Sequence, residues 1–315
     1  MKKIILVSLL ALPLLCLAQY TYKNLAVNYD NDATAKNYTY KNLRLYPIRA
    51  KESFNQQYNS VGKYTPLKEA LEKKKVIITE KSNGGTVNTL TIQNVSKDTI
   101  IVICGEVIKG GKQDRIINQD IVLPPNSKKM DLSVFCVEAG RWTASSTGTQ
   151  FAGYHTVGSL SLRKVVEKEA RQGEVWKKVD ELNSANKTSN DTKTYTAMTN
   201  SADYRKQLNE YTSYFKEKLG KEENLIGVLI VSGDKVLGCD MFATPALFKQ
   251  NLDNLLNSYA TEAILNGKPV EVKPATVKTY FDSLLSDETK QEETLKVKGK
   301  SFSDKGKKLR VSSYE

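Results

Sequence analysis

Hydrophobic and polar positions follow two different periods along this chain. From Val76 to Val137 they alternate residue by residue or gather into β-branched runs. Val76 to Thr79, Thr86 to Val95, Thr99 to Ile108, Ile116 to Leu123 and Lys129 to Val137 therefore read as strands. Asn83-Gly-Gly85, Ser96-Lys-Asp98 and Pro124-Pro-Asn-Ser127 place turn chemistry between them. Upstream, Arg44 to Ile48 reads as a first strand, and residues 66–74 as a helix with Thr65 as N-cap and Pro66 at its first position. A Thr, Ser, Gly and Gln stretch after Trp142 marks a loop, and beyond it the period becomes helical. Leu160 to about Leu182 predicts a helix bent or split at Gly173, and Asn183 to Asn200 a long loop. Tyr204, Leu208, Tyr211, Phe215 and Leu219 recur on one face of a second helix. Leu225 to Val231 and Lys235 to Met241, about Ser232-Gly-Asp234, form a hairpin, and Pro245 to about Ile264 an amphipathic helix. The expected fold class is α+β: a β-rich N-terminal half (antiparallel sheet, sandwich or partial barrel) followed by amphipathic helices and a late β-hairpin.

The two ends differ from this middle. Lys2 and Lys3 precede an apolar run from Ile4 to Leu17, and Ala18 supplies the small residue that signal peptidase needs, so residues 1–18 read as a signal peptide cleaved before Gln19. The expected location is exported, periplasmic or extracellular. A lipoprotein anchor at Cys16 is disfavoured by Leu15, where a lipobox wants a small residue, and a retained anchor by the short run and Pro13. The hexapeptide YTYKNL occurs at residues 20–25 and again at 38–43, too short a repeat for a solenoid. The polar run Asn28 to Asn37 between the copies makes 19–37 an expected flexible segment, ahead of one domain over 38–264. Residues 265–315 read as a C-terminal extension, with a short helix near Val277 to Leu285 and a charged tail.

Composition narrows the partners. The chain has 315 residues and a formal charge of +12, or +10 once Lys2 and Lys3 leave. Its lysines are spread without the Arg-and-aromatic interleaving of nucleic-acid surfaces, so no nucleic-acid partner is expected. No later stretch approaches the roughly 18 apolar residues of a spanning helix, so no membrane span is expected after signal removal. Cys104, Cys136 and Cys239 are odd in number and lie in apolar runs, where a free thiol packs as a small hydrophobe; whether Cys104 and Cys136 pair is left open by the sequence.

Most standard chemistry is missing. His155 is the single histidine, which excludes two-His zinc sites, and it lies in a polar loop without a nucleophile elbow; no metal or cofactor is implied. Gly105 to Gly110 begins a phosphate-loop pattern, but Gly111 stands where lysine is needed. Two segments remain. In Gly105 to Arg115, Gly110 and Gly111 allow a close backbone approach, and Lys112, Gln113 and Arg115 offer donors for a phosphate or carboxylate. In Cys136 to Trp142, Arg141 stands beside the indole of Trp142 where a strand feeds a loop. The plain alternative is a β-turn with solvated charges and a packed Trp, with Glu138 paired to Arg141.

The set Gly105-Glu106, Gly111 to Asn118, Ile121 to Pro125, Cys136-Val-Glu138, Gly140-Arg-Trp142, Gln172 to Trp176 and Gly238 to Phe242 resembles the ARG and rhodanese-phosphatase-superfamily-associated protein domain, where ARG abbreviates ADP-ribosylglycohydrolase. The resemblance runs from about Tyr38 to about Ile264 and implies a domain without an established activity, associated with proteins of ADP-ribose and phosphoester metabolism. Cys104 stands where the family typically carries an acidic or small polar residue, which puts an acid pair with Glu106 out of reach, and Gly111 where it often has Ala. The leading expectation is a polar pocket for a small anionic, nucleotide- or ADP-ribose-like ligand. There Lys112, Gln113, Arg115 and Arg141 hold the anion, Trp142 stacks, and Glu106 and Glu138 orient the cations or supply a base. The alternatives are a non-enzymatic envelope interaction or scaffold protein and a hydrolase with a Glu general base or Cys136 as nucleophile.

Overall fold

A computed structural model describes residues 20–29, 32–81, 87–143 and 148–315. The expected signal peptide and the turn at Asn83 to Gly85 lie outside the described residues. In chain order the strands are β1 (Leu25–Val27), β2 (Thr39–Tyr40), β3 (Leu43–Ala50), β4 (Thr65–Pro66), β5 (Val76–Glu80), β6 (Thr89–Asn94), β7 (Ile100–Val102), β8 (Glu106–Lys109), β9 (Arg115–Ile117), β10 (Ile121–Leu123), β11 (Met130–Cys136), β12 (Gly153–Val157), β13 (Leu225–Ser232), β14 (Lys235–Phe242), β15 (Gly299–Asp304) and β16 (Lys307–Tyr314). The helices are α1 (Asp32–Asn37), α2 (Glu52–Gln57), α3 (Leu67–Glu72), α4 (Leu160–Lys164), α5 (Gln172–Ala185), α6 (Ala202–Leu219), α7 (Pro245–Asn266), α8 (Pro274–Leu285) and α9 (Glu288–Lys298).

The β-rich half rolls into a partial barrel. Its strands run in the order β12-β8-β9-β11-β6-β5, and the two edges meet where Thr79 bridges Gln150, Glu80 N–H donates to Thr149 O at 2.9 Å and Phe151 N–H to Ile78 O at 2.9 Å. Alternation along each strand sorts the side chains: Ile78, Leu90, Ile92, Ile117, Leu132 and Val134 fill the interior, with Leu67 and Leu71 of α3 packed against them. Ile116, Phe135 and Val137 point outward and are covered by Leu162, Val166, Val175 and Val179 of the helical segment.

A second sheet, antiparallel throughout, runs β1-β3-β13-β14-β16-β15, with β2 also on β3. Helices cover both its faces. Tyr259 of α7 donates to Asp240 on one face, and Tyr280 of α8 meets Ser313 on the other. Between barrel and sheet lies a small three-stranded sheet, β10-β7-β4. Ile100 and Val102 belong to the barrel core, Ile101 and Ile103 to the core of the large sheet. A strand with both faces buried is the physical reason for the uninterrupted apolar run at 100–103.

Several expectations need revision. The stretches Thr99 to Ile108 and Ile116 to Leu123 each split into two strands, the first because Gly105 takes φ +93°. The helical stretch from Leu160 breaks not at Gly173 but after a π-helical turn, Val165–Glu169, where Ala170 sits at φ +49°. The last turn of the long loop before α6 is a 3-10 helix, Tyr195–Asn200. The segment 19–37, expected to be flexible, contributes the buried Tyr20 and Leu25, and β1 pairs with β3. Residues 265–315, expected to form an extension and charged tail, instead supply α8, α9 and two strands, with β16 inside the sheet between β14 and β15. Leu309 and Val311 alternate there with polar residues that have buried partners, a pattern that composition hides. The two YTYKNL copies flank β3: Leu25 begins the strand on its C-terminal half, and Leu43 begins β3 itself. No described helix is long and apolar enough to cross a membrane.

Candidate functional site

The two segments singled out by sequence meet at one mouth of the barrel. Gly110 (φ +135°) and Gly111 (φ +50°) turn the chain so that Gly111 N–H donates to Gln150 O at 3.0 Å. An added Cβ at Gly110 would stand 2.4 Å from that same carbonyl oxygen, so the turn requires glycine. Arg141 braces it. Its Nη1 donates to Gly111 O at 2.8 Å and Thr143 O at 3.0 Å, while Nε and Nη2 reach Glu138 Oε2 at 3.0 and 2.6 Å. Glu138 Oε2 also accepts from Asp114 N–H at 3.0 Å, and Asp114 Oδ2 accepts from Thr194 and Thr196 at 3.1 and 3.2 Å. Burial pushes the Asp114 carboxyl up, and the Glu138 charge adds to it. Burial also raises Glu138, but the Arg141 hydrogen bonds and the Asp114 N–H outweigh it and hold that carboxyl low.

Arg115 lies on the interior side of β9, fully buried. Its Nη1 donates to Gln113 O at 2.6 Å, its Nη2 lies 3.4 Å from Glu80 Oε1, and its guanidinium is 5.8 Å from the Phe151 ring centre. Gln113 is buried as well. Of the five expected ligand contacts, Trp142 is the exposed one, at 52%, Lys112 and Arg141 are half-buried, and the Lys112 ammonium sits 5.1 Å from the Trp142 ring centre. Arg141 and Glu138 form the ion pair that the plain alternative anticipates, whereas Trp142 does not plug the sheet.

Glu106 stands apart from these groups. Its Oε2 accepts from Ile103 N–H at 2.8 Å and its Oε1 from Tyr154 at 3.1 Å. Burial pushes its carboxyl up to about 8, against these two donors, which favour the charged form. Folded protein then holds a proton that unfolded chain has lost, so stability is full below the ordinary carboxylate pKa and declines as pH rises towards 8. The parent should lose up to about 1.4 kcal/mol per pH unit across that window from this one group. In Glu106→Gln the decline should become shallower by that amount, as read from urea midpoints between pH 5 and 8, the raised Asp114 and Asp120 carboxyls keeping their own share. A slope unchanged by the substitution would mean that Glu106 is ionised in the fold.

The remaining candidates are poor nucleophiles or bases. Burial raises the Cys136 thiol to about 11, and Cys104, Cys136 and Cys239 are all free and buried, so Cys104 and Cys136 are not paired. Burial pulls the His155 imidazole down to about 4, with Lys109 adding to the effect.

The largest concentration of buried charge was not singled out from the sequence. Where the barrel turns lie on the large sheet, Arg163 of α4 grips Asp240 of β14 with two bonds, at 2.9 and 2.6 Å. Arg310 of β16 reaches Asp120 at 2.8 Å and Glu167 of the π-helical turn at 3.2 Å, and lies 3.6 Å from Asp240. Tyr259 donates to Asp240 at 2.8 Å, Ser312 to Glu167 at 3.0 Å, and the Cys104 N–H to Asp120 at 3.0 Å. All five charged side chains are at most 3% exposed. Burial raises Asp240, but Arg163, its hydrogen bonds and Arg310 outweigh it, so that carboxyl is held low. The signal in sequence was a charge flanked by apolar residues, as with Asp240 between Cys239 and Met241 and Arg310 between Leu309 and Val311.

Fold and site together define an α+β protein in which a partial barrel is joined to a large antiparallel sheet through buried ion pairs, with one glycine turn braced at the barrel mouth. A family model described as the ARG and Rhodanese-Phosphatase-superfamily-associated Protein domain matches residues 33–313, and the chain belongs to that family. That span takes in α8, α9 and most of the last hairpin. No curated protein and no solved structure matches the chain.

Proposed function

We propose that this protein is an exported binding module that recognises a small anionic, nucleotide- or ADP-ribose-like ligand at the barrel mouth. In this reading Lys112 meets the charge, Trp142 stacks on a flat ring, and Arg115, Arg141 and Glu138 are braces rather than contacts. The observation that carries it is the Lys112–Trp142 pair, a cation beside a half-exposed indole held out on a braced turn. The test is a fluorescence titration with ADP-ribose, ADP and inorganic phosphate in a Trp176→Phe background, which leaves Trp142 as the single indole. Saturable quenching by ADP-ribose or ADP, weakened by Lys112→Ala, is expected. A Trp142→Ala variant should lose ligand-dependent thermal stabilisation while its own stability stays within about 0.5 kcal/mol of the parent.

A second reading, a scaffold without a small ligand, draws support from the pairing of Arg115, Arg141 and Glu138 within the protein. Failure of every ligand to quench or stabilise would favour it. Export rests on the Lys2-Lys3 start, the apolar run and Ala18. Mass spectrometry of protein recovered from the envelope and medium should find Gln19 as first residue; an intact leader on cytoplasmic protein would overturn it.

A further inference from the structure

The end of α6 and the start of α7 leave a cavity of about 390 Å³ that none of the barrel-mouth residues lines. Leu219, Leu225, Phe248 and Leu252 form its apolar wall. These four are core residues, at most 6% exposed, so the wall is set by packing and exists before any ligand arrives. The rim is charged, and its carboxylates are taken. Asp253 pairs with Lys216 at 2.8 Å, and Glu222 accepts from Arg49 and Tyr38. Lys249, an exposed residue one turn into α7, has no carboxylate within ion-pair distance among the described residues. Both lining carboxylates are thus paired and Lys249 is the lining charge left over, and the α7 N-terminus adds its positive dipole end on the same side.

We infer that this cavity binds a small amphiphilic carboxylate, its apolar body against Leu219, Leu225, Phe248 and Leu252 and its head group on Lys249. An uncharged amphiphile of the same length would fill the wall and leave Lys249 unmatched. An amine would set a second unmatched cation beside Lys249. A solvent-exposed ion pair contributes modestly, so the head group should tighten binding by about fivefold.

The experiment is a calorimetric titration of the whole chain with decanoate, decanol and decylamine, each below its micelle concentration. Decanoate should bind saturably at one site per chain, about fivefold tighter than decanol, with decylamine weakest. Lys249→Ala should equalise decanoate and decanol. Ala246→Trp, a change at an exposed lining residue, and Leu252→Trp, a change in the wall, should each abolish both; Ala246→Trp keeps the test valid if the wall variant fails to fold. Absence of saturable decanoate binding, equal affinity for decanoate and decanol in the parent, or binding that survives Ala246→Trp would overturn the inference. So would a dimer that Ala246→Trp dissociates, since the groove would then be an interface between copies.

Discussion

Truncating Asp240 to alanine is expected to lower the unfolding free energy by about 3–5 kcal/mol, because it leaves a buried guanidinium without its carboxylate. Arg163 gives both of its terminal nitrogens to Asp240, and Arg310 loses a neighbour at 3.6 Å as well. Against a typical total of about 5–15 kcal/mol, such a loss would leave much of the protein unfolded at growth temperature. The effect should depend on pH in a definite direction. Asp240 has its folded pKa held low, so the stability that it contributes is present above the unfolded carboxylate pKa and is lost as pH falls through the lower folded value. Urea unfolding of parent and variant at pH 7 reads the difference directly; a gap under about 1 kcal/mol would place Asp240 outside the group of residues that hold the fold.

Gly105→Ala should be the other severe change, at about 2–4 kcal/mol. Its φ of +93° is strained for any residue with a Cβ, and that Cβ would stand 2.8 Å from Arg163 Cγ. Relief requires Arg163 to shift, which pulls its guanidinium from Asp240. The cost should therefore fall in a chain that already lacks Asp240, since the two changes act on one side chain. Equal costs in both backgrounds would mean that the backbone strain alone is responsible.

The helix α6 was legible because Tyr204, Tyr211, Phe215 and Leu219 make one buried face, and the hairpin of β13 and β14 because Ser232-Gly-Asp234 separates two apolar runs, while Pro245 marks the start of α7. Periodicity misread Thr99 to Ile108 as one strand. A run buried on both faces carries no alternation to mark its end, and a glycine at positive φ looks like any other glycine in sequence. The π-helical turn was invisible for a related reason: it is tied to a tertiary contact, Glu167 on Arg310, 143 residues away. Arg141 with Glu138 was legible within one short segment, whereas Lys112 near Trp142 required two segments 30 residues apart to converge; the structure brings both pairs together. Grouping Glu106 with them rested on its nearness in sequence, yet β8 carries it to Tyr154 instead. The five buried charges join residues 70 to 190 positions apart, so Asp240 and Arg310 could be suspected from their apolar flanks but none of the five could be assigned a partner.

Buried charges on α4, the π-helical turn, β14 and β16, together with Asp120 between β9 and β10, hold barrel and sheet together. The most direct test is a double-mutant cycle on Arg163→Met and Asp240→Leu by urea unfolding. Each single change strands a buried charge and should cost about 3–5 kcal/mol, whereas the double change removes both charges and should cost clearly less than either alone. Costs that simply add would mean that Arg163 and Asp240 contribute independently rather than as a pair, and that the buried charges do not hold the fold.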